Sequence, residues 1–126
     1  MVADITPVLP AHRQVIEGYG AGGFRISGQR HEGSVLLFPT RVIPWPVADV
    51  AEMTIDSLRP IIDAAGEVGL LLLGGGPTLQ PVPAELRAAL KSAGVVIEAM
   101  DTGGACRTYN VLLGEDRRVA AALVAV

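Results

Sequence analysis

Between residues 68 and 99 the chain reads as an apolar run, a glycine and proline loop, an amphipathic stretch and a second apolar run, an order that few folds accommodate. Val68-Gly69-Leu70-Leu71-Leu72-Leu73 carries only apolar side chains, which suits a central strand covered on both faces. Pro83 in a first helical position and Gly94 as a stop bracket a helix predicted over 84–93, and a second strand is predicted over 95–99. Strand, helix and strand make a βαβ unit, whose right-handed crossover leaves its two strands parallel. The loops that follow them, Gly74-Gly75-Gly76 and Asp101-Thr102-Gly103-Gly104, then emerge at one carboxyl edge, where open α/β sheets bind ligands.

The rest of the chain is arranged around that unit. Before residue 50, short β-type runs at 15–19, 24–27, 34–38 and 42–47 are separated by the turns Gly20-Ala21-Gly22-Gly23 and Gly28-Gln29-Arg30-His31, as in an antiparallel meander. Pro44 and Pro46 remove two backbone donors around Trp45, which assigns the fourth run to an edge. Ile55, Leu58, Ile61 and Ile62 have helical spacing, so a helix is predicted over 55–65, capped by Thr54 or Asp56 and ending at Gly66; Pro60 is tolerable only in its first turn. A helix over 102–113 and a last strand over 118–124 complete an α/β second half with the meander packed alongside. No repeat or linker divides the chain, so residues 1–126 are expected to be one domain, with 1–13 a mobile leader.

Composition removes several classes of function. Of 126 residues 50% are hydrophobic, enough for a core without disulfide or metal staples. The formal charge of −3 is scattered, with no basic run to neutralise phosphates, so no nucleic acid partner is expected. A single cysteine forms no internal disulfide, and the first residues lack the basic flank and apolar core of a secretion signal; the expected address is cytoplasmic. The apolar runs at 68–73 and 119–126 fall far short of the roughly 18 to 20 residues of a bilayer crossing. One cysteine and the distant His12 and His31 offer no metal-ligand spacing, so no metal is expected. Gly-Gly-Gly-Pro matches neither the phosphate loop nor the dinucleotide fingerprint, so no cofactor is expected.

The carboxyl edge holds the candidate site. Gly74, Gly75 and Gly76 have no side chains to keep a ligand from the backbone. The helix start at Thr102, Gly103 and Gly104 has free N–H groups and a positive dipole end that favour an anion, and Arg107 adds donors one turn in. The competing reading makes the glycines tight turns or points of close helix packing, and Asp101 and Thr102 helix caps. Two glycines in a first turn weaken a helix by roughly 1 kcal/mol each, so something must favour them there. Ala105, Cys106, Tyr109, Leu112 and Leu113 fall on one helical face, Arg107, Asn110 and Gly114 on another. Cys106 near a helix N-terminus is a candidate thiolate. No histidine base is tied to it, and a small buried hydrophobe is the competing role. Glu115-Asp116-Arg117-Arg118 reads as a solvated turn with local ion pairs. Trp45 is either a lid on the core or an exposed aromatic anchor for a partner.

Read in order, Tyr19-Gly20-x-Gly22-Gly23-Phe24, Gly33-Ser34-Val35-Leu36-Leu37 with Trp45 following, Leu72-Leu73-Gly74-Gly75-Gly76, and Met100-Asp101-Thr102-Gly103-Gly104-Ala105-Cys106-Arg107-Thr108-Tyr109-Asn110 resemble one family over nearly the whole chain. It is the domain-of-unknown-function family of adipogenesis-associated Mth-domain proteins, nearest in pattern to its alphaproteobacterial members and the branch of mitochondrial complex I assembly factor 3. The resemblance implies a three-layer α/β fold: a central mixed sheet, mostly parallel with the last strand antiparallel, flanking helices and a small N-terminal antiparallel β layer. It implies no enzyme activity, and a role through protein contacts. The expectation is a non-enzymatic binding or assembly module that holds a protein partner or a small anionic ligand with Gly74 to Gly76, Asp101 to Gly104, Arg107, Asn110 and Trp45. The alternative is a thiol-dependent enzyme or redox-sensitive protein using Cys106. An exposed edge strand makes a homodimer conceivable.

Overall fold

A computed structural model describes residues 3–4 and 13–126. Among these residues, nine strands form two sheets. β1 (Ala3–Asp4), β2 (Ile16–Gly20), β3 (Gly23–Ile26) and β4 (Gln29–Glu32) make an antiparallel sheet in that order. β5 (Val35–Phe38), β6 (Arg41–Pro44), β7 (Leu70–Gly74), β8 (Val96–Met100) and β9 (Val119–Leu123) make a five-stranded sheet in the order β6-β5-β9-β7-β8. The helices are α1 (Arg59–Asp63), α2 (Ala84–Ser92) and α3 (Thr102–Gly114). The βαβ unit forms as expected: β7 and β8 are parallel, Leu70 beside Val96 through Gly74 beside Met100.

Three layers follow from the alternation of side chains in the larger sheet. Leu36, Phe38, Leu71, Leu73, Ala120 and Ala122 face one way, into a core with Leu58 and Ile61 near α1 and Leu86 and Leu90 on α2. Val35, Leu37, Leu72, Val119, Ala121 and Leu123 face the other way, towards Ile16, Phe24 and Ile26 of the small sheet and Ala105, Cys106, Tyr109 and Leu113 of α3. The run of alanines in β9 is what lets two layers approach the middle strand closely.

The structure corrects the meander. Ser27 and Gly28, at φ 47° and 83°, reverse the chain in two residues, so Gln29 already pairs with Ile26 and the expected turn at 28–31 is strand β4. Its Gln29, Arg30 and Glu32 are exposed on an edge, so no apolar alternation marks it. The four β runs also do not form one layer. All four residues of β5 are buried, which demands cover on both faces, and the β5–β6 hairpin accordingly joins the larger sheet beside β9.

Strand direction differs in one respect from what the resemblance implied. β9 is antiparallel to β5 but parallel to β7, because α3 carries the chain from the carboxyl end of β8 back to the start of β9. The strand that runs against the rest is β5. The helix predicted over 55–65 is a 3-10 turn at Asp56–Leu58 followed by the five-residue α1, with Pro60 in its first turn. Within the expected leader, Ala3 and Asp4 pair with Tyr19 and Gly18 of β2, and the Arg13 guanidinium bonds the Asp116 carboxylate. Positions 1–2 and 5–12, His12 included, lie outside the described residues. Among those described, no helix is long and apolar enough to cross a membrane.

Candidate functional site

At the carboxyl edge the ends of β7, β8 and β9 are tied together by their own hydrogen bonds. Gly75 N–H donates to Met100 O at 3.0 Å, Thr102 N–H to Gly76 O at 2.8 Å, and Val124 N–H to Gly74 O at 2.8 Å. The Thr102 hydroxyl accepts from Gly76 N–H at 2.9 Å and donates to Val124 O at 2.8 Å, so one side chain joins three strand ends. Asp101 is the N-cap of α3: its carboxylate accepts from Gly104 N–H at 3.3 Å and its carbonyl from Ala105 N–H at 3.0 Å. The expectation of open N–H groups for an anion is therefore corrected. Gly74, Gly75, Gly76, Thr102 and Gly103 are all buried, and the donors at Gly75, Gly76, Thr102 and Gly104 are already used.

Close approach explains the glycines. A Cβ on Gly74 would stand 2.9 Å from Thr102 Cα and 3.0 Å from Leu123 Cδ2, so only glycine lets α3 start this near the sheet. Gly76 sits at φ +115°, a conformation that side chains rarely adopt. A Cβ on Gly103 would meet the Tyr19 hydroxyl at 2.8 Å, and one on Gly104 would meet Asp101 Oδ1 at 2.7 Å. The two glycines that weaken the first turn are thus where β2 lays a tyrosine on the helix and where the cap folds back.

Tyr19 was not among the expected site residues. Its hydroxyl accepts from Arg107 Nη1 at 2.7 Å, which leaves the exposed guanidinium fixed over the edge. Only contact between two sequence-distant layers reveals this pair.

Asn110 is structural in its contacts: Oδ1 accepts from Ile16 N–H at 3.1 Å and Nδ2 donates to Ile16 O at 2.8 Å, both buried. Trp45 is the lid, not an exposed anchor. It is 3% exposed, packs in the core beside α1 and α2, and donates from Nε1 to Ser57 O at 2.8 Å. Cys106 is fully buried. Burial pushes its thiol up to about 12, reinforced by the Asp101 carboxylate and only partly offset by Arg107, which reverses the lowering expected from the helix dipole. His31 stands in β4, paired across the strands with Phe24. Among the described residues no cluster of three or more His, Cys, Asp or Glu could hold a metal.

What remains accessible at this edge is Arg107, with Asp101 and Gly104 half-buried beside it. The loop that leaves the edge after Gly76 exposes Pro77, Thr78 and Leu79, and Leu79 is 60% exposed. Three clefts among the described residues lie elsewhere. One of about 450 Å³ is at the amino ends of β7 and β8, one of about 380 Å³ is beside Trp45, and one of about 300 Å³ is between Ile55 and Leu86.

The model of a family described as "Protein of unknown function (DUF498/DUF598)" matches residues 16–124, and the chain belongs to this family. An uncharacterised protein of Rhodobacter capsulatus is 42% identical over 109 residues, covering 86% of this chain and 82% of its own. NADH dehydrogenase [ubiquinone] 1 alpha subcomplex assembly factor 3 of Danio rerio is 33% identical over 110 residues; the match spans 87% of this chain and 63% of that longer one. Among solved structures, a protein of Bartonella henselae described as an outer membrane protein aligns with a TM-score of 0.86 and 36% identity, covering 92% of this chain and 98% of that one. A Bordetella pertussis protein described as a Mth938-like domain aligns with a TM-score of 0.80 and 28% identity, covering 94% and 89%.

Proposed function

We propose that this chain is a protein-binding module acting in the manner of an assembly factor, and that its partner docks on the carboxyl edge around Arg107, Asp101 and Leu79. The observation that carries the reading is the closure of that edge by Thr102. With the backbone donors of Gly75, Gly76, Thr102 and Gly104 satisfied internally, it offers a partner a surface of fixed side chains in place of a ligand cradle. Arginine held by a tyrosine is the type of group that concentrates binding energy at protein interfaces. Relatives bearing the name of a complex I assembly factor agree with this class of role, although they are longer chains. We read residues 1–126 as one domain and place it in the cytoplasm, where its single thiol stays reduced. A thiol enzyme finds no support in a cysteine with no exposed surface.

Affinity capture from the native host tests the proposal. Wild type is expected to retain a partner that Arg107→Ala and Leu79→Ala lose while their unfolding midpoints stay unchanged. A partner captured equally by all three proteins would move the docking surface elsewhere.

A further inference from the structure

At the opposite, amino end of the parallel strands lies the cleft of about 450 Å³, lined by Gly69, Leu70, Val96, Glu98, Arg117 and Arg118. Its floor follows from register. Val96 and Glu98 pair with Leu70 and Leu72 and so share their face of the sheet, the face on which α3 packs. α3 covers β9 and β7, and β8 is left as the open margin of that layer, with Val96 53% exposed.

The two arginines reach this margin through the way α3 ends. Asp116, at φ 59°, takes the left-handed position of a Schellman motif, with Arg117 N–H donating to Leu112 O at 3.0 Å and Asp116 N–H to Leu113 O at 3.0 Å. Asp116 is committed to Arg13, so the local ion pairs expected within 115–118 do not form. The Arg118 guanidinium makes only a 3.4 Å contact to Gly66 O, and the Arg117 guanidinium has no ion-pair partner among the described residues. Glu98 lines the same cleft without an ion pair to either guanidinium.

We propose that this cleft is a second docking site, one that takes an acidic peptide segment of a partner protein, its aliphatic side chains on Leu70 and Val96 and a carboxylate on Arg117 and Arg118. Charge selects this occupant. Two guanidinium groups against one carboxylate make the cleft locally positive on a chain of net charge −3, and a forked donor matches a carboxylate in two hydrogen bonds. A second copy is disfavoured by the same count, since its cleft carries the same excess of positive charge. Strand pairing across β8 is also obstructed, because Arg87 Nη1 on α2 already occupies Ile97 O at 2.8 Å.

The test is a titration of the full chain, followed by amide chemical shifts, with three capped peptides of equal length in which leucine alternates with glutamate, glutamine or lysine. The glutamate peptide is expected to move the amides of Gly69, Leu70, Val96 and Arg118, and to bind at least about tenfold more tightly than the other two. Replacing Arg117→Glu and Arg118→Glu together is expected to abolish that preference, and Glu98→Gln to strengthen binding. The proposal is overturned if the lysine peptide binds as well, if the shifts fall outside this cleft, or if the double replacement leaves affinity unchanged. It is equally overturned if light scattering shows the cleft closed by a dimer that Glu98→Gln dissociates. None of these outcomes bears on the carboxyl edge, which is read by a different pair of variants.

Discussion

The Thr102 hydroxyl donates to the carbonyl of Val124 at 2.8 Å, linking the first residue of α3 to the residue just past β9. The same oxygen accepts from Gly76 N–H, so the three strand ends that a ligand site would hold apart are drawn together.

Loss of this hydroxyl should be costly. Thr102→Val keeps the shape but leaves a buried donor and a buried acceptor unpaired, at about 1 to 3 kcal/mol each. Urea unfolding is expected to show a lower midpoint at unchanged slope, while Thr102→Ser stays close to wild type. Equal stability of the valine and serine variants would show that the hydroxyl contributes nothing.

The close approach at Gly74 should separate it from a glycine that merely turns the chain. Gly74→Ala drives a Cβ against the backbone of Thr102 and is expected to destabilise by about 1 to 3 kcal/mol through overpacking. Gly66→Ala meets nothing within 4 Å and has no left-handed φ, so it should be neutral or stabilise by about 0.4 to 1 kcal/mol through the unfolded chain. Thermal unfolding of the two variants distinguishes them.

Asn110 takes both backbone groups of Ile16 as a neighbouring strand would, which fastens the small sheet to α3. Asn110→Leu is expected to cost about 1 to 3 kcal/mol for each group stranded. Amide hydrogen exchange should quicken in β2 and β3 and change far less in β7, since the damage lies between layers. Uniform acceleration across both sheets would show instead that the layers open together.

The buried thiol has a defined pH signature. Its ordinary value is 9.0 and the folded value is raised to about 12, so between these the native state holds a proton that the unfolded state has lost. Stability is therefore unaffected by this group below pH 9, falls as pH rises towards 12, and is lost most steeply inside that window. Burial also raises the Tyr109 phenol, which acts in the same direction. Cys106→Ala should shallow the alkaline decline without removing it. Iodoacetamide at pH 8 should label Cys106 no faster than the protein opens; rapid labelling of the native fold would contradict the buried, protonated thiol.

How legible each part was depended on the range of the interactions behind it. The strand over 68–73 and the helix over 84–93 lie close to β7 and α2, because both are signalled by local apolar spacing and by Pro83 and Gly94. β4 was invisible, since an exposed polar edge strand is defined only by its pairing with β3. Asp101 was readable as a cap because its partner is three residues away, whereas Asn110 and Thr102 act on Ile16 and Val124, far off in the chain.

From the sequence alone came the family, the α/β class, the parallel β7–α2–β8 unit and the placement of two glycine segments at one edge. These rest on periodicities and stops that operate within a few residues. Only the tertiary structure decided that β5 enters the larger sheet, that Trp45 and Cys106 are sealed in separate cores, and that the glycine edge is closed by Thr102. Each of those outcomes depends on which buried polar group finds which partner across the fold, and a hydrogen bond between Tyr19 and Arg107 exists only once two layers have met.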